Sequence, residues 1–175
     1  MNILRTLPIK ELPKELIYKR RVNTVMKPTQ VEYVFFSTTG DKNWGEVVLH
    51  KKNSSALLKD FIGPSLVVDF IKVNQKGKSL GKTILDFCKN YSKSIGCNGR
   101  IVLLADPDYT PEKIPHLFYR KQGFTTHNKK LDRKMDKFIK NGQNATVEDF
   151  CTLLMYYPEP AKKTFWEKLV EQFSK

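Results

Sequence analysis

The chain has 175 residues, 40% of them hydrophobic, and its 31 lysines and arginines outnumber 18 acidic residues to give a formal net charge of +13. This length predicts one domain, residues 1–175, that can bury a hydrophobic core. No apolar run approaches the roughly 18–20 residues of a membrane helix, and prolines and charges interrupt the N-terminal segment where a signal peptide is apolar. We therefore expect a cytoplasmic protein without a membrane partner. The charge favours anionic partners such as phosphorylated cofactors, RNA or acidic proteins, although a lysine-rich solubilising surface is the simpler explanation.

The cysteines and histidines give no sign of a disulfide framework or a metal site. Cys88, Cys97 and Cys151 form no C-x-x-C pair, and an odd, sparse set of cysteines is not typical of disulfide-stabilised domains. The three histidines show no metal-ligand spacing with them. We expect no metal.

The first part of the chain predicts an antiparallel meander. Residues 1–30 contain prolines among short apolar clusters and predict a short helix or strand with breaks. The segments VEYVFFSTT (31–39) and WGEVVLHKK (44–52) predict two strands joined at the turn GDKN. A third strand, SLVVDFIKV (65–73), follows the break at Gly63–Pro64.

The pattern then changes to helical. Apolar residues recur at helical spacing from Leu80 to Ile95, and Gly96 stands where a C-terminal cap belongs. The segment RIVLLAD (100–106) is nearly all apolar, which predicts a strand buried on both faces. A strand, a helix and a second strand in this order predict a right-handed parallel unit.

The rest of the chain predicts further helices and one strand. A helix begins near Pro115 and ends at Gly123, and the basic segment 129–140 has a helical apolar face. FCTLLMYYP (150–158) predicts a late strand, and residues 161–174 predict a C-terminal helix. The predicted fold class is α/β, a mixed and mostly antiparallel twisted sheet with a central parallel βαβ unit and a C-terminal helix.

A glycine- and lysine-rich stretch, KGKSLGKTIL, joins the third predicted strand to the following helix. It contains G-x-x-x-G-K-T, one residue short of the nucleotide P-loop G-x-x-x-x-G-K-[ST]. Loop length determines how such a turn wraps phosphate, and the strands that precede this loop are antiparallel, whereas a P-loop fold needs several parallel strands. A P-loop-like nucleotide-binding enzyme is therefore the minority hypothesis.

The same stretch resembles the R/Q-x-x-G-x-G/A phosphate loop of the GNAT superfamily, the acyl-CoA N-acyltransferases. Lys76 stands at the R/Q position, Ser79 at the first glycine and Gly81 at the G/A position. Downstream, LFYRKQGF (117–124) looks like that family's L-Y-x-x-x-G-F helix end. The order of elements also agrees, so the resemblance covers the core of the domain, about residues 31–158.

The physics of this loop suits a phosphate ligand. Backbone N–H groups at a helix N-terminus point outward, the helix dipole adds positive charge there, and glycine lets the backbone approach a pyrophosphate. A solvated lysine-rich turn that caps a helix is the alternative. The predicted coenzyme-binding residues of the loop are Lys76, Gly77, Lys78, Ser79, Leu80, Gly81 and Lys82.

The resemblance implies an N-acetyltransferase that uses acetyl-CoA and no metal, in which an amine attacks the thioester directly in a ternary complex. It implies that strands 65–73 and 100–106 splay apart, and that main-chain groups near Ile71 and Val73 bind pantetheine and polarise the thioester carbonyl. The resemblance also implies that Tyr119 occupies the position of the acid that protonates the leaving thiolate. A phenol can serve as this acid, because with an ordinary pKa near 10 it stays protonated at neutral pH. An ordinary core tyrosine is the alternative.

The acceptor amine and its general base stay open. The carboxylates of Asp69, Glu46, Asp106 and Asp108 are candidate bases, each with a solvated or capping role as the alternative, and Asp69 is the first to test because it lies close to the proposed thioester. The basic segment predicts either a patch for RNA or an acidic protein, or a solvated helix face. A tRNA-directed acetyltransferase and a non-catalytic RNA-binding module are therefore rival hypotheses.

The sequence departs from the family's pattern in two places. The asparagine that often contacts pantetheine has no counterpart in DPDYTPEKIP, and a helical segment stands where a sixth strand is usual. The resemblance therefore gives no acceptor for this chain.

Overall fold

The computed structural model describes residues 16–23, 30–37, 43–53, 63–74, 79–108 and 114–158. The elements in these ranges are β1 (Leu16–Asn23), β2 (Gln30–Ser37), β3 (Asn43–Lys52), β4 (Ser65–Val73), α1 (Leu80–Ser94), β5 (Ile101–Ala105), α2 (Pro115–Lys121), α3 (Lys129–Lys140) and β6 (Leu153–Tyr157). Loop residues 76–78, most of the first turn at 40–42 and the predicted C-terminal helix at 161–174 lie outside the described residues.

The strands form one sheet in the order β1-β2-β3-β4-β5-β6. Strands β1 to β4 are antiparallel to their neighbours, β5 is parallel to β4, and β6 is antiparallel to β5. The sheet is therefore mixed and mostly antiparallel, with one parallel βαβ unit formed by β4, α1 and β5. This confirms the predicted fold class, and β1 shows that the first thirty residues contain a strand rather than a helix in their described part.

Helices α1 and α2 pack against one face of the sheet, where the core lies. The apolar stripe of α1 meets side chains that alternate along β3, β4 and β5, because successive strand residues point to opposite faces. Buried members of this core include Ile84, Phe87, Val47, Leu49, Leu66, Val68, Leu103 and Ala105. The helical period predicted from the sequence is thus confirmed by the burial of α1.

Glycines end the first two helices at the predicted positions. Gly96 follows α1 with φ of +78°, and Gly123 follows α2 with φ of +88°, both in the region that favours glycine. The Gly96 amide donates to the Lys93 carbonyl, and the Gly123 amide donates to the Arg120 carbonyl. Both helix ends were predicted from these glycines.

The prediction that β5 is buried on both faces is wrong at one position. Leu104 is 63% exposed, whereas Ile101, Leu103 and Ala105 are buried beneath the helices. Leu104 points to the opposite face of the sheet, because side chains alternate along a strand. An all-apolar run therefore did not distinguish a doubly covered strand from one with an open face.

Helix α3 is held to the rest of the core by carboxylates. Asp136 accepts two hydrogen bonds of 2.8 Å from the Arg120 guanidinium of α2, which lowers the pKa of Asp136. Asp132 is buried and accepts hydrogen bonds from the Thr125 hydroxyl and from the Thr126 amide and hydroxyl. The predicted basic helix is therefore an ordered part of the fold, packed through Leu131, Met135 and Phe138.

Candidate active site

Strands β4 and β5 separate in the middle of the sheet. Their parallel pairing covers only Leu66–Val68 against Ile101–Leu103, although β4 continues to Val73 and β5 to Ala105. Beyond Val68, no described strand pairs with β4 on that side. A gap thus opens between the carboxyl ends of two parallel strands, where ligands bind in many α/β proteins.

A β-bulge in β4 lies where the gap begins. Leu49 of β3 pairs with Val68, but the preceding Val48 pairs with Phe70, so Asp69 is the extra residue of the bulge. A bulge bends its strand and reverses the side-chain alternation beyond it. Consequently, Ile71 packs against the core that also contains Leu66 and Val68.

The main chain of Ile71 and Val73 faces the gap. The Asn74 amide donates to the Trp44 carbonyl of β3 at 2.9 Å, so the even-numbered residues at this end of β4 direct their main-chain polar groups toward β3. Because these groups alternate along a strand, those of Ile71 and Val73 point away from β3. The structure therefore places both predicted pantetheine contacts along the open side of β4.

Ser79, at the N-cap of α1, has the backbone conformation of a glycine. Its φ is +53° and ψ is +19°, in the left-handed region, and its side chain makes no capping hydrogen bond. Non-glycine residues rarely adopt this conformation. Ser79 stands at a glycine position of the resembled phosphate loop, and this backbone geometry explains why that position suits glycine.

The first turn of α1 has the properties of an anion site, but its side chains contribute unevenly. It contains no acidic residue, and main-chain N–H groups at a helix start point outward. Leu80 is buried, so only its main chain is available, and the Lys82 ammonium lies 2.6 Å from the Asp86 carboxylate. The expected charge of Lys82 is thus partly neutralised one turn into the helix.

Gly81 allows close packing between two helices. A Cβ atom at this position would lie 2.9 Å from the Phe118 ring of α2. This contact gives the glycine a structural reason that is independent of any ligand. A bulky residue here is expected to move Phe118 and α2 whether or not a phosphate binds.

Tyr119 lies in the core between two aromatic rings. Its ring is 5.4 Å from that of Phe118 and 5.8 Å from that of Phe124, and only 6% of the residue is exposed. Burial raises the pKa of the phenol well above its ordinary value, and the nearby Cys88 thiol raises it further. The phenol therefore stays protonated at neutral pH, as both a proton donor and a core tyrosine would.

A cleft of about 470 Å³ lies on the face of the sheet opposite the helices. It extends along the paired parts of β4 and β5 and reaches Asp69 and Leu104, where the strands separate. Tyr119 packs with the core on the helix-covered face. The cleft and Tyr119 therefore lie on opposite sides of the sheet.

An imidazole–carboxylate pair lies at this cleft. The Nδ1 atom of His50 is 2.5 Å from Oδ2 of Asp69, and both side chains line the cleft. The sequence predicted Asp69 as a candidate base but gave His50 no role. The partner could not be identified from sequence, because the contact depends on the β3–β4 register and on the bulge at Asp69.

The other candidate bases have less suitable positions. Asp106 accepts a hydrogen bond of 3.0 Å from the Asp108 amide, the geometry of a turn that follows β5. Asp108 is exposed, and Glu46 lies in β3 opposite Lys72 without lining the cleft. Asp69 is therefore the carboxylate that the structure brings to the cleft.

The described part of the chain contains no cluster of metal-binding side chains and no helix that could span a membrane. No group of three histidine, cysteine, aspartate or glutamate side chains in it is placed to hold a metal ion. None of its helices is long and apolar enough to cross a membrane.

No protein-family model and no curated protein matches the sequence. Solved structures of similar fold include AtaTR bound with AcCoA, at 13% identity and a TM-score of 0.44, with 84% of this chain and 73% of that one covered. A KacTA–DNA complex matches at 15% identity and a TM-score of 0.46, covering 85% and 74%. The histone acetyltransferase HPA2 and related acetyltransferase from Corynebacterium glutamicum match at 14% and 0.44, covering 78% and 67%.

These structural neighbours include named acetyltransferases. At such low identities the likeness concerns the arrangement of helices and strands alone. The chemistry of the site depends on this chain's own residues.

Proposed function

We propose that this protein is an acyl-CoA N-acyltransferase that transfers an acetyl group from acetyl-CoA to an amine. The observation that carries the proposal is the gap between β4 and β5, which the main chain of Ile71 and Val73 faces. An extended amide-bearing arm requires exposed main-chain donors and acceptors along a strand. The open side of β4 supplies them.

The start of α1 supports the phosphate end of the coenzyme. The left-handed turn at Ser79 leads directly into a helix N-terminus without acidic residues, and this helix follows the strand that borders the gap. Outward N–H groups and the helix dipole favour a pyrophosphate there. Lys76, Gly77 and Lys78, which lie outside the described residues, are proposed to bind the phosphates.

Acetyl-CoA supplies the activated acyl group and a sulfur leaving group. The chain's contribution is to orient the thioester and to move protons. Main-chain N–H groups of Ile71 and Val73 would hold the pantetheine arm and polarise the carbonyl. Tyr119, whose phenol keeps its proton because it is buried, would donate that proton to the departing sulfur.

The P-loop hypothesis is less well supported. In the described sheet only β4 and β5 are parallel, and the strand before the loop is antiparallel to β3. A P-loop fold is built on several parallel strands. The G-x-x-x-G-K-T match therefore lacks the structural context that would support it.

Nucleic acid is a second candidate partner, and α3 provides the supporting observation. Lys130, Arg133, Lys137 and Lys140 follow helical spacing, are exposed, and have no ion-pair partner within the described ranges. A cationic stripe of this kind suits a phosphate backbone. Charge reversal at Arg133 and Lys137 tests this candidate. If it abolishes RNA binding and leaves coenzyme binding intact, a tRNA-directed enzyme is favoured. If RNA binding is unaffected, the basic side of α3 is a solvated face.

Thermal unfolding with candidate ligands tests the proposed function. At coenzyme A or acetyl-CoA concentrations of about 100 times the dissociation constant, stabilisation of about 2.7 kcal/mol is expected, or about 5–10 °C in melting temperature. ATP with magnesium should have a much smaller effect. Stabilisation by ATP with magnesium alone would instead favour a nucleotide enzyme.

A pair of proline substitutions tests the gap directly. Val73→Pro removes an N–H that faces the gap and leaves the β3 ladder intact, so the fold should persist while coenzyme affinity falls at least tenfold. Lys72→Pro is the matched control, because it removes a ladder hydrogen bond to β3 and should lower stability. Calorimetric titration with coenzyme A should separate these effects. Unchanged affinity in Val73→Pro would place the pantetheine arm elsewhere.

A further inference from the structure

The cleft contains a buried hydroxyl that lacks a hydrogen bond. Ser65, at the start of β4, is fully buried, and its Oγ has no partner in the part of the chain that the structure describes. Such groups are rare in folded proteins, because burial removes the hydrogen bonds that they make to water. Since Ser65 lines the cleft, a polar group of a ligand can provide the missing bond.

The walls of the cleft are apolar and come from three strands. The side chains are those of Val67 in β4, Val102 and Leu104 in β5, and Leu154 in β6. Leu104 is 63% exposed. Covering such a surface favours binding of an apolar body, because apolar area is removed from water.

Charged side chains lie at the two ends of the cleft. His50 and Asp69 form one end, and Lys52 pairs with Ser65 in the β3–β4 register at the other. His50 and Lys52 are two residues apart on one strand face, a spacing of about 6–7 Å. An anionic group near Lys52 and Ser65 would therefore lie about that far from the imidazole.

We propose that this cleft binds the acyl acceptor, that the acceptor is an amine on an apolar body ending in an anionic group, and that His50 takes a proton from it. The acid–base part rests on the proposed function; the ligand site does not. The Asp69 carboxylate accepts a hydrogen bond from Nδ1–H, which fixes the proton on Nδ1 and leaves the Nε2 lone pair as the proton acceptor. Among the described residues, Nε2 of His50 has no hydrogen-bond partner.

The protons of the transfer step balance when His50 acts as the base and Tyr119 as the acid. The neutral amine nitrogen uses its lone pair to bond to the acetyl carbonyl carbon, and the carbon–sulfur bond breaks with its electron pair on sulfur. The surplus proton on nitrogen passes to Nε2 of His50, and the Tyr119 hydroxyl gives its proton to the sulfur. The products are an N-acetyl amide and a thiol, and proton exchange with water restores both side chains.

Ligand binding without coenzyme is the first test. Leucyl-leucine has an amine, an apolar body and a carboxylate at suitable spacing, and its titration should shift backbone amide NMR signals along β3, β4 and β5. Leucyl-leucinamide, which lacks the carboxylate, and lysyl-lysine, which lacks the apolar body, should bind at least tenfold more weakly. Equal affinity for the three, or binding to none, would overturn the acceptor class.

Three variants keep this binding test specific. Leu104→Glu places a charge on an exposed wall and should weaken leucyl-leucine binding at least tenfold, whereas Val147→Glu, at an exposed apolar residue outside the cleft, should not. Ser65→Ala should weaken binding without lowering the melting temperature, because it removes a hydroxyl that has no partner. Full affinity in Leu104→Glu would overturn the cleft as the site.

The proton role of His50 requires a transfer assay. In His50→Gln, kcat/KM for leucyl-leucine should fall 10²–10⁴-fold, with acetyl-CoA affinity unchanged. His127→Gln, at an exposed histidine outside the cleft, is the control. Wild-type transfer by His50→Gln would overturn the base assignment. Coenzyme binding without leucyl-leucine binding would overturn the cleft alone, and absence of coenzyme binding would overturn the proposed function alone.

Discussion

At the scale of single residues, Ser79 combines an unfavourable backbone conformation with a position next to the proposed phosphate site. A non-glycine residue in the left-handed conformation costs about 1–2 kcal/mol of stability, and replacing it with glycine removes this cost. Glycine's greater freedom in the unfolded chain offsets about 0.4–1 kcal/mol of that gain in stability. Ser79→Gly should therefore raise the free energy of unfolding by about 0.5–1 kcal/mol and retain coenzyme affinity. Urea denaturation and calorimetry measure the two quantities.

Asn98 provides the control for this substitution. It also has positive φ, +52°, but lies in the turn between α1 and β5. Asparagine tolerates the left-handed region better than serine, so Asn98→Gly should stabilise less. A loss of stability in Ser79→Gly would show that the serine side chain contributes more than its backbone strain costs.

Tyr119→Phe tests the proposed acid without disturbing the core. Phenylalanine keeps the packing against Phe118 and Phe124, so the melting temperature should hardly change. Turnover should fall about 10²-fold or more, while the KM for acetyl-CoA stays nearly constant, because the lost interaction belongs to the transition state. Thiol release with a panel of amines, peptides, polyamines and aminoacyl-tRNAs measures turnover.

Tyr91→Phe is the matched control, since Tyr91 lies on a different helix, α1, where it stacks on Phe87. Its turnover should equal that of the wild type. Equal turnover in Tyr119→Phe would assign Tyr119 to the core alone, and water or another group would then protonate the sulfur.

The bulge at Asp69 shows what sequence could not provide at this scale. Simple alternation along SLVVDFIKV places Asp69 and Ile71 on one face, but the extra residue separates them: Asp69 lines the cleft and Ile71 contacts the core. A bulge disrupts the hydrogen-bond ladder locally, and the pairing with β3 and the contacts beyond the bulge stabilise it. These stabilising residues are distant from Asp69 in the sequence. The His50–Asp69 contact was unpredictable for the same reason.

At the scale of elements, α3 depends on a buried carboxylate. Asp132→Ala leaves the Thr125 hydroxyl and the Thr126 amide without their acceptor, so the free energy of unfolding should fall by about 2–4 kcal/mol. Asp136→Ala, on the same helix, removes a half-exposed ion pair with Arg120 and should cost less than about 1 kcal/mol. Chemical denaturation of both variants measures the difference, and equal losses would contradict this account of α3.

The helices were more predictable than the sheet. The positions of α1, α2 and α3 follow from 3.6-residue periodicity and from glycines at their ends, which are local signals. The exposure of Leu104 depends on which face the helices cover, a decision made by residues far apart in sequence. The composition of β5 alone therefore could not distinguish a strand covered on both faces from one with an exposed face.

At the scale of the whole molecule, the order of four strands was predictable and the gap was not. Two hairpins and one parallel crossover follow from turn signals and element order, and they account for the order β2-β3-β4-β5, whereas the places of β1 and β6 in the sheet were not predicted. The length over which β4 and β5 pair depends on the bulge and on the pairing of β5 with β6. Only the resemblance to a family, rather than residue patterns, suggested that these strands separate.

The stability of the molecule should depend on pH through a buried histidine. His116 is fully buried, its Nε2 is 2.9 Å from the Cys151 carbonyl, and its Nδ1 has no hydrogen-bond partner in the described part of the chain. Burial lowers the pKa of His116 below 6.5, a shift that the Cys151 carbonyl and Asp106 only partly oppose.

The sign of the effect follows from which state binds the proton. Above about pH 7 the imidazole is neutral in both states, so His116 contributes no pH dependence. As the pH falls below 6.5, the unfolded chain takes up a proton that folded His116 does not, and the free energy of unfolding falls by up to about 1.4 kcal/mol per pH unit. This loss continues until the pH reaches the lowered pKa.

Urea denaturation between pH 7 and pH 5 should reveal this dependence. In His116→Gln, whose amide can still donate to the Cys151 carbonyl, the decline in stability over that range should be smaller than in the wild type. His127→Gln, at an exposed histidine, should retain the full decline. An identical decline in His116→Gln and the wild type would show that the folded state accommodates a charged His116. The acid sensitivity of the protein would then come from groups other than this histidine.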